Sequence, residues 1–464
     1  MSLILLALPL ITALFAYFVK QHSKTIAMFG AVVNLVLTLY IAYVFEIGFN
    51  GMQFSDSLFT IPNINCSFDV GINAISLLFL ILTNISLPLI IATSPKQVDK
   101  NSLFFALISF FSFALHGVYL ISDGLFYYVF WEMALLPIFV LLIVFGGQQS
   151  MQTFFKFFIY TIAGSLFMLV SIVLLRNNTN GFAWEAWTNN TLSPTLQAVA
   201  LIGFAAAYFI KIPIFPFHTW QPDTYTKAPT TVTMLLSAVM LKMAIYSILR
   251  WVIPILPTAF EAYRMVGLLL SVIGVVYASI IAIQQTDLKR LLAYSSMAHV
   301  GMIAAGIFSG SNIGSTGAIL QCINHAIISI GLFYIADLLQ HRFGTYDIHT
   351  MGGVRQYQPI LATFLMILTL ASVAMPLTNG FVGEFMILIG IYDLHPVLCA
   401  VAGLSVVLGA VYMLRMYMLT MLGDSQVAVG FADLTLRDSL ILIPIVILIF
   451  TLGLFPVLFS QFLI

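Results

Sequence analysis

The amino-acid sequence predicts an all-α polytopic membrane protein of about fourteen transmembrane helices, with two inverted five-helix repeats and two broken helices. Three observations predict it. Of 464 residues, 61% are hydrophobic and only 7% charged, whereas a soluble domain carries about 25% charged residues; the mean hydropathy is +1.07. Apolar runs of about 20 residues, the length that spans the hydrocarbon layer as a helix, follow one another from end to end with short polar gaps. Two of these runs are interrupted by proline or glycine beside an ionisable residue. A β-barrel is excluded, because barrels show weaker, alternating segments of about 10 residues.

The first segment, 2–19, lies in MSLILLALPLITALFAYFVKQHSK and has no basic residue before its apolar run; its first lysine, Lys20, comes after it. It reads as a retained helix rather than a signal peptide. Segments 25–46, 71–93, 102–121, 124–145 and 152–175 follow as uninterrupted runs. The seventh, 196–220, holds Pro213 and Pro216, each of which removes a backbone donor and clashes with the preceding turn. Segments 228–253, 263–283, 292–309 and 316–339 come next, and the twelfth, 359–392, is broken in ASVAMPLTNGFVGEF by Pro376 and Gly380. Segments 396–420 and 438–462 complete the series.

Broken helices survive in a membrane only where they are buried in protein or line water. Two breaks, five segments apart, predict an inverted repeat: residues 102–253 as one half and 254–420 as the other, flanked by 1–101 and 421–464. An odd number of helices per repeat gives the halves opposite topology. Loop charges test the count, since every second loop should collect Lys and Arg. Loops after odd-numbered segments hold Lys20, Lys24, Lys96, Lys100, Lys227, Lys289, Arg290, Arg342, Arg355 and Arg437; the others hold only Arg176, Arg250 and Arg264. Both termini are therefore expected on the outer side.

Several functions are excluded by what is missing. Cys66, Cys322 and Cys399 are scattered, and an iron–sulfur cluster needs about four thiolates. There is no strand followed by GxGxxG, and GSNIGSTG (310–317) lacks the lysine of a phosphate loop. No nucleotide, metal or nucleic-acid partner is expected for this chain.

Of the seventeen Lys and Arg, Arg415 sits near enough to a helix end to snorkel, as does Lys156. Lys211 and Lys242 have long apolar runs on both sides. An ionisable group at mid-membrane costs several kcal/mol unless it meets a partner or water, so it is a functional candidate. Glu132, in FYYVFWEMALLPIF, and Glu384, in NGFVGEFMIL, are candidate partners, and His299 and His325 add imidazoles, with Gln321 and Asn324 giving the second a polar face. Desolvation drives a lysine towards its neutral form and a nearby carboxylate holds its proton on, so a carboxylate that moves toggles the lysine between holding and releasing a proton. The alternative is a set of static pairs that tie helices together. A metal site is disfavoured by the wide spacing of the two histidines and the absence of a third ligand at a recognisable spacing.

At these residues the sequence resembles the antiporter-like subunits of proton-pumping NADH:quinone oxidoreductase, respiratory complex I. The pieces that carry the resemblance are YVFWEMALLPIF, KFFIYTIAGS, FIKIPIFPFHTWQPDTYTKAPT with LLSAVMLKMAIYSILR, QTDLKRLLAYSSMAHVGMI, QCINHAIISIGLF and GFVGEF, in that order between about Asp123 and Glu384. The resemblance implies that Glu132, Lys211 and Lys242 match the family's shared glutamate and lysines, and that His299 and His325 match its central histidines. Glu384, where relatives have lysine, points to the M type, as does the lack of a long lateral helix after the last span. The loop between segments two and three is short, and Tyr225 and Lys227 depart from the usual residues.

From the resemblance follow a fold of fourteen helices, protons entering from the inner side to the Lys242 region, passing by water and His299 or His325 to Glu384, and leaving on the outer side, with Glu132 modulating Lys211. FMN, iron–sulfur clusters and quinone are expected in partner subunits and no cofactor in this chain. Expected partners are the lipid bilayer, protons and water, and neighbouring membrane-arm subunits of the L and N types, in a bacterial inner membrane. A Mrp-type sodium/proton antiporter subunit, a membrane-bound hydrogenase subunit and a passive scaffold are the alternatives.

Overall fold

The computed structural model describes residues 1–49, 51–95, 100–146, 150–189, 192–423 and 432–463. Lys96, one of the loop cations counted above, lies outside them. The helices in order are α1 (Ser2–Phe18), α2 (Ser23–Val44), α3 (Ala74–Thr93), α4 (Asn101–Leu120), α5 (Gly124–Phe145), α6 (Met151–Asn178), the short α7 (Trp184–Thr188), α8 (Pro194–Lys211), α9 (Trp220–Lys227), α10 (Thr230–Met234), α11 (Leu241–Ser247), α12 (Pro257–Gln284), α13 (Leu288–Phe308), α14 (Asn312–Phe343), the short α15 (Val354–Tyr357), α16 (Pro359–Ser372), α17 (Asn379–Leu394), α18 (Pro396–Met421), α19 (Leu436–Leu454) and the short α20 (Val457–Ser460). Among the described residues twelve helices are long and apolar enough to cross a membrane, and Ser2–Phe18 and Pro359–Ser372 are shorter apolar helices. The protein is an all-α polytopic membrane protein. Each of the fourteen apolar segments is helical over most of its length.

Both interruptions appear where proline and glycine place them. α8 ends at Lys211 and helix resumes only at Trp220; α16 ends at Ser372 and α17 begins at Asn379. In the second break Ala374 (φ 54°) and Leu377 (φ 76°) occupy the left-handed region, a strain of about 1–3 kcal/mol each for residues with a Cβ. Gly380 is required there, since a Cβ would stand 2.3 Å from the Ala371 carbonyl oxygen.

The chain forms two compact units, one of residues 1–212, 239–263 and 461–464, the other of 213–238 and 264–460. In the first, α1 packs on α4, α2 on α3, and α6 along α8. A β-hairpin that the hydropathy did not announce joins α2 to α3: β1 (Gln53–Ile61) pairs antiparallel with β2 (Cys66–Ile72), around a turn in which Asn65 is left-handed at φ 50°. Asparagine tolerates that conformation better than most residues. In the second unit α14 packs most extensively on α17, with α13, α16 and α19 around them. Gly317 and Gly383 permit this approach: a Cβ on Gly317 would meet the Gly383 carbonyl oxygen at 2.9 Å, as small residues do where membrane helices touch closely.

Burial runs opposite to that of a soluble protein. Phe18, Phe29, Tyr43, Ile202, Leu436 and other large apolar side chains of the outer helices are exposed, the surface a bilayer covers. By contrast the helix Thr230–Val252, and α13 and α14, are almost entirely buried in protein. These are the helices that carry Lys242, His299 and His325.

Candidate functional site

In the first unit three helices converge on two lysines and a glutamate. Lys211 is the last residue of α8 and is 2% exposed. The break after it leaves a helix C-terminus, whose free carbonyls favour a cation. Its ammonium lies over the Trp131 ring, 5.2 Å from the centroid. Glu132, next to that tryptophan on α5, is the carboxylate whose charge acts on Lys211. The two meet through space, and among the described residues the buried Oε1 of Glu132 has no hydrogen-bond partner.

Lys242 is 1% exposed on α11. Hydropathy gave no sign of its setting: wide π-helical turns, Leu235–Met240 and Ile248–Val252, flank α11 on both sides. Such turns interrupt the i→i−4 ladder and recur at functional positions.

A chain of hydroxyls ties these helices together. Ser247 donates to the Met243 carbonyl at 2.7 Å, so its oxygen accepts from Tyr127 at 2.7 Å. Tyr127 has then spent its only proton and accepts from Tyr208 at 2.9 Å. The chain has one direction, and it ends on a backbone carbonyl that cannot pass a proton on. It is a brace between the turn before Lys211, the helix of Glu132 and the helix of Lys242. Sequence reasoning missed all three hydroxyls; their one signal is position, Tyr208 one turn before Lys211 and Ser247 beyond Lys242 on the same helix.

In the second unit the residues form a direct polar cluster. His299 Nδ1 lies 3.0 Å from Glu384 Oε1, and Gln321 donates to the same oxygen at 3.2 Å. His299 Nε2 is 3.3 Å from the Ser372 hydroxyl at the end of α16. The His325 ring lies 5.8 Å from that of His299, centroid to centroid. Asn324 donates to the Asn379 carbonyl at 2.7 Å, pinning α14 to the start of α17. A crevice beside the pair is lined by His299, Ser372, Glu384, Ser405 and Tyr412. Glu384 stands in the second turn of α17, where the favourable N-terminal dipole is largely spent. Its hydrogen bonds therefore carry more of its stabilisation.

The six expected residues thus divide between the two units, Glu132, Lys211 and Lys242 in one and His299, His325 and Glu384 in the other. Two more buried histidines, His116 and His218, were not singled out by the sequence; for His116 the hydrogen bonds fix the role. Its Nδ1 meets the Ser112 carbonyl at 2.7 Å and must donate; Nε2 then accepts from Asn34 at 3.0 Å and Asn84 at 3.1 Å. Both nitrogens are satisfied, so this is a neutral histidine that holds α2, α3 and α4 together. Among the described residues no group of three His, Cys, Asp or Glu is arranged to hold a metal. Arg415 reaches back to the Gln285 carbonyl at 3.0 Å, at the end of its span as expected of a snorkelling side chain.

Residues 122–409, which hold all six of these residues, match the family described as NADH:quinone oxidoreductase/Mrp antiporter, transmembrane. The chain belongs to this family. Within the NADH:quinone oxidoreductase/Mrp antiporter family it is similar to NADH-quinone oxidoreductase subunit M of Rickettsia prowazekii (strain Madrid E), 36% identical over 97% of this chain and 94% of the relative. It is likewise similar to a chain in the structure of respiratory complex I from Thermus thermophilus with bound NADH, with a TM-score of 0.92, 28% identity, and coverage of 100% and 97%. A chain of the Mrp complex from Dietzia sp. DQ12-45-1b shares the fold at a TM-score of 0.87 and 22% identity; all of this chain matches 51% of that one.

Proposed function

We propose that the chain is the M-type membrane-arm subunit of a NADH:quinone oxidoreductase and moves protons, driven by quinone reduction in other subunits. Each unit contributes one switchable pair, Glu132 with Lys211 and Glu384 with His299, and Lys242 and His325 extend them. FMN, iron–sulfur clusters and quinone belong to partner subunits; the redox chemistry is theirs. Neighbours of the L and N types flank the chain in a bacterial inner membrane, with both termini outside.

One observation carries the transport reading over a passive scaffold. A static tie between helices would lock Glu132 onto Lys211 by hydrogen bonds, yet among the described residues the carboxylate has a buried oxygen with no partner and acts on the lysine through space. An unmade bond at a buried carboxylate costs about 1–3 kcal/mol or more, a cost that a movable carboxylate must carry and a structural one would avoid. The scale is adequate: driving one charge against about 150–200 mV takes about 3.5–4.6 kcal/mol, at about 2.3 kcal/mol per 100 mV.

The test is Lys211→Ala and Glu132→Ala in the assembled complex. Proton pumping per NADH should fall to background while the complex still assembles; unchanged pumping would sink the transport reading. The shared fold keeps a Mrp-type antiporter subunit as the second reading. Co-purification with flavin and iron–sulfur subunits, and NADH-dependent quinone reduction, separates the two.

A further inference from the structure

Arg250 lies in the second π-helical turn of the helix that carries Lys242, and the functional reading above leaves it without a role. It is 7% exposed, and among the described residues no group accepts a hydrogen bond from its Nε or Nη2. A guanidinium stays charged at any physiological pH, so a full positive charge is held here without a bonded carboxylate. The Trp184 ring lies over it, with the guanidinium carbon 3.6 Å from the ring centroid, and the Trp184 indole donates to the Arg250 carbonyl at 2.9 Å. The Glu185 carboxylate acts on it through space. Glu185 is exposed, so water and salt screen that interaction.

Above Arg250 a continuous backbone layer closes the unit. Trp184 donates to the Ser122 carbonyl, Gly124 to Phe182, Phe182 to Asn65 and Ser122 to Asp69. The loop before α7, the α4–α5 junction and the β-hairpin are thereby stitched together. The loop charges assign this layer to the outer side. Lys242 and Tyr246 lie one turn apart on α11, and Arg250 follows in the π-helical turn, on the outward side of both.

We propose that Arg250 is a fixed electrostatic plug, which bars protons from passing between Lys242 and the outer side. A proton, or a water carrying one, has to approach a permanent cation that the low-dielectric interior screens poorly. A water that accepts from Nε or Nη2 has its oxygen turned to the arginine, which breaks the proton-conducting order of a water file, as a pore arginine excludes protons. Nε and Nη2 are themselves buried, so these two donors face the protein interior rather than a lipid phosphate. The plug makes the first unit open to one side only. It rests on the proton-translocation reading and on the orientation given above.

The test uses the whole complex, reconstituted in vesicles without NADH, with a potassium diffusion potential imposed and proton entry followed by an internal pH dye. R250Q should leak faster than wild type by about tenfold or more, the factor that corresponds to about 1.4 kcal/mol of lost repulsion. R250K, which keeps the charge and loses the planar stack on Trp184, should remain tight. R250S, neutral and small, should leak at least as fast as R250Q. A tight R250Q, a tight R250S, or an R250K that leaks like R250Q would overturn the plug. Should R250Q fail to assemble, R250S carries the test. A wild-type complex that pumps no protons with NADH would instead overturn the functional reading beneath it.

Discussion

At Lys211 two placements combine: the prolines after it end a helix in mid-span, and the carbonyls so exposed sit beneath a cation. The neighbouring tryptophan supplies a cation–π contact worth about 2 kcal/mol when desolvated, which supports the charge without bonding it to Glu132. That leaves the glutamate able to move, and the Lys211→Ala and Glu132→Ala tests follow from it. Cys66 in β2 is the opposite case, a titratable group held inert. Burial first, and then the Asp123 charge, push its thiol up to about 12. Both effects disfavour the thiolate, so at pH 8 on the order of one thiol in ten thousand is ionised, and the thiolate is the reactive form. N-ethylmaleimide at pH 8 should leave Cys66 unlabelled in the folded complex and label it after denaturation, as peptide mass spectrometry would show.

Among the elements, the brace from Tyr208 through Tyr127 to Ser247 sets the mutual positions of α5, α8 and α11. Tyr127→Phe keeps the ring stacked on Trp251 at 4.5 Å and removes only the hydroxyl. It strands the Tyr208 proton, which should cost about 1–3 kcal/mol. Thermal denaturation of the purified complex should show that loss, and pumping should slow with it. The α14–α17 contact leaves no room for a side chain at Gly317, where a Cβ would also meet the Met386 Cβ at 2.7 Å. Gly317→Ala would push its Cβ to within 2.9 Å of the Gly383 oxygen and the Ile387 nitrogen. Overpacking of this kind costs about 1–3 kcal/mol, and it would separate Gln321 from Glu384. We expect reduced assembly on native gels and, in the complex that does assemble, impaired pumping.

On the scale of the whole molecule, one carboxylate joins the hairpin of the first unit to the start of α5. Asp123 caps α5 by accepting from the Leu125 and Phe126 amides at 2.9 and 3.2 Å, and anchors the hairpin through the Ser67 amide at 3.1 Å and the Cys66 thiol at 3.3 Å. Burial nonetheless raises its pKa above the usual carboxylate value, against the pull of those hydrogen bonds. Asp123→Ala should cost about 1–2 kcal/mol for the cap alone and expose residues 53–72 to protease; Asp123→Asn, which keeps an acceptor, should cost less. Limited proteolysis of the two variants measures both. Hydropathy and loop charge made the helical segments, the two breaks and the six ionisable candidates legible, because a bilayer imposes length and apolarity one segment at a time. The hairpin, the π-helical turns around Lys242, the hydroxyl brace, the satisfied His116 and the unbonded Arg250 were not legible. Each depends on which residues far apart in the chain are brought face to face, and inside an apolar bundle nearly every position reads alike until packing selects the few polar groups that meet.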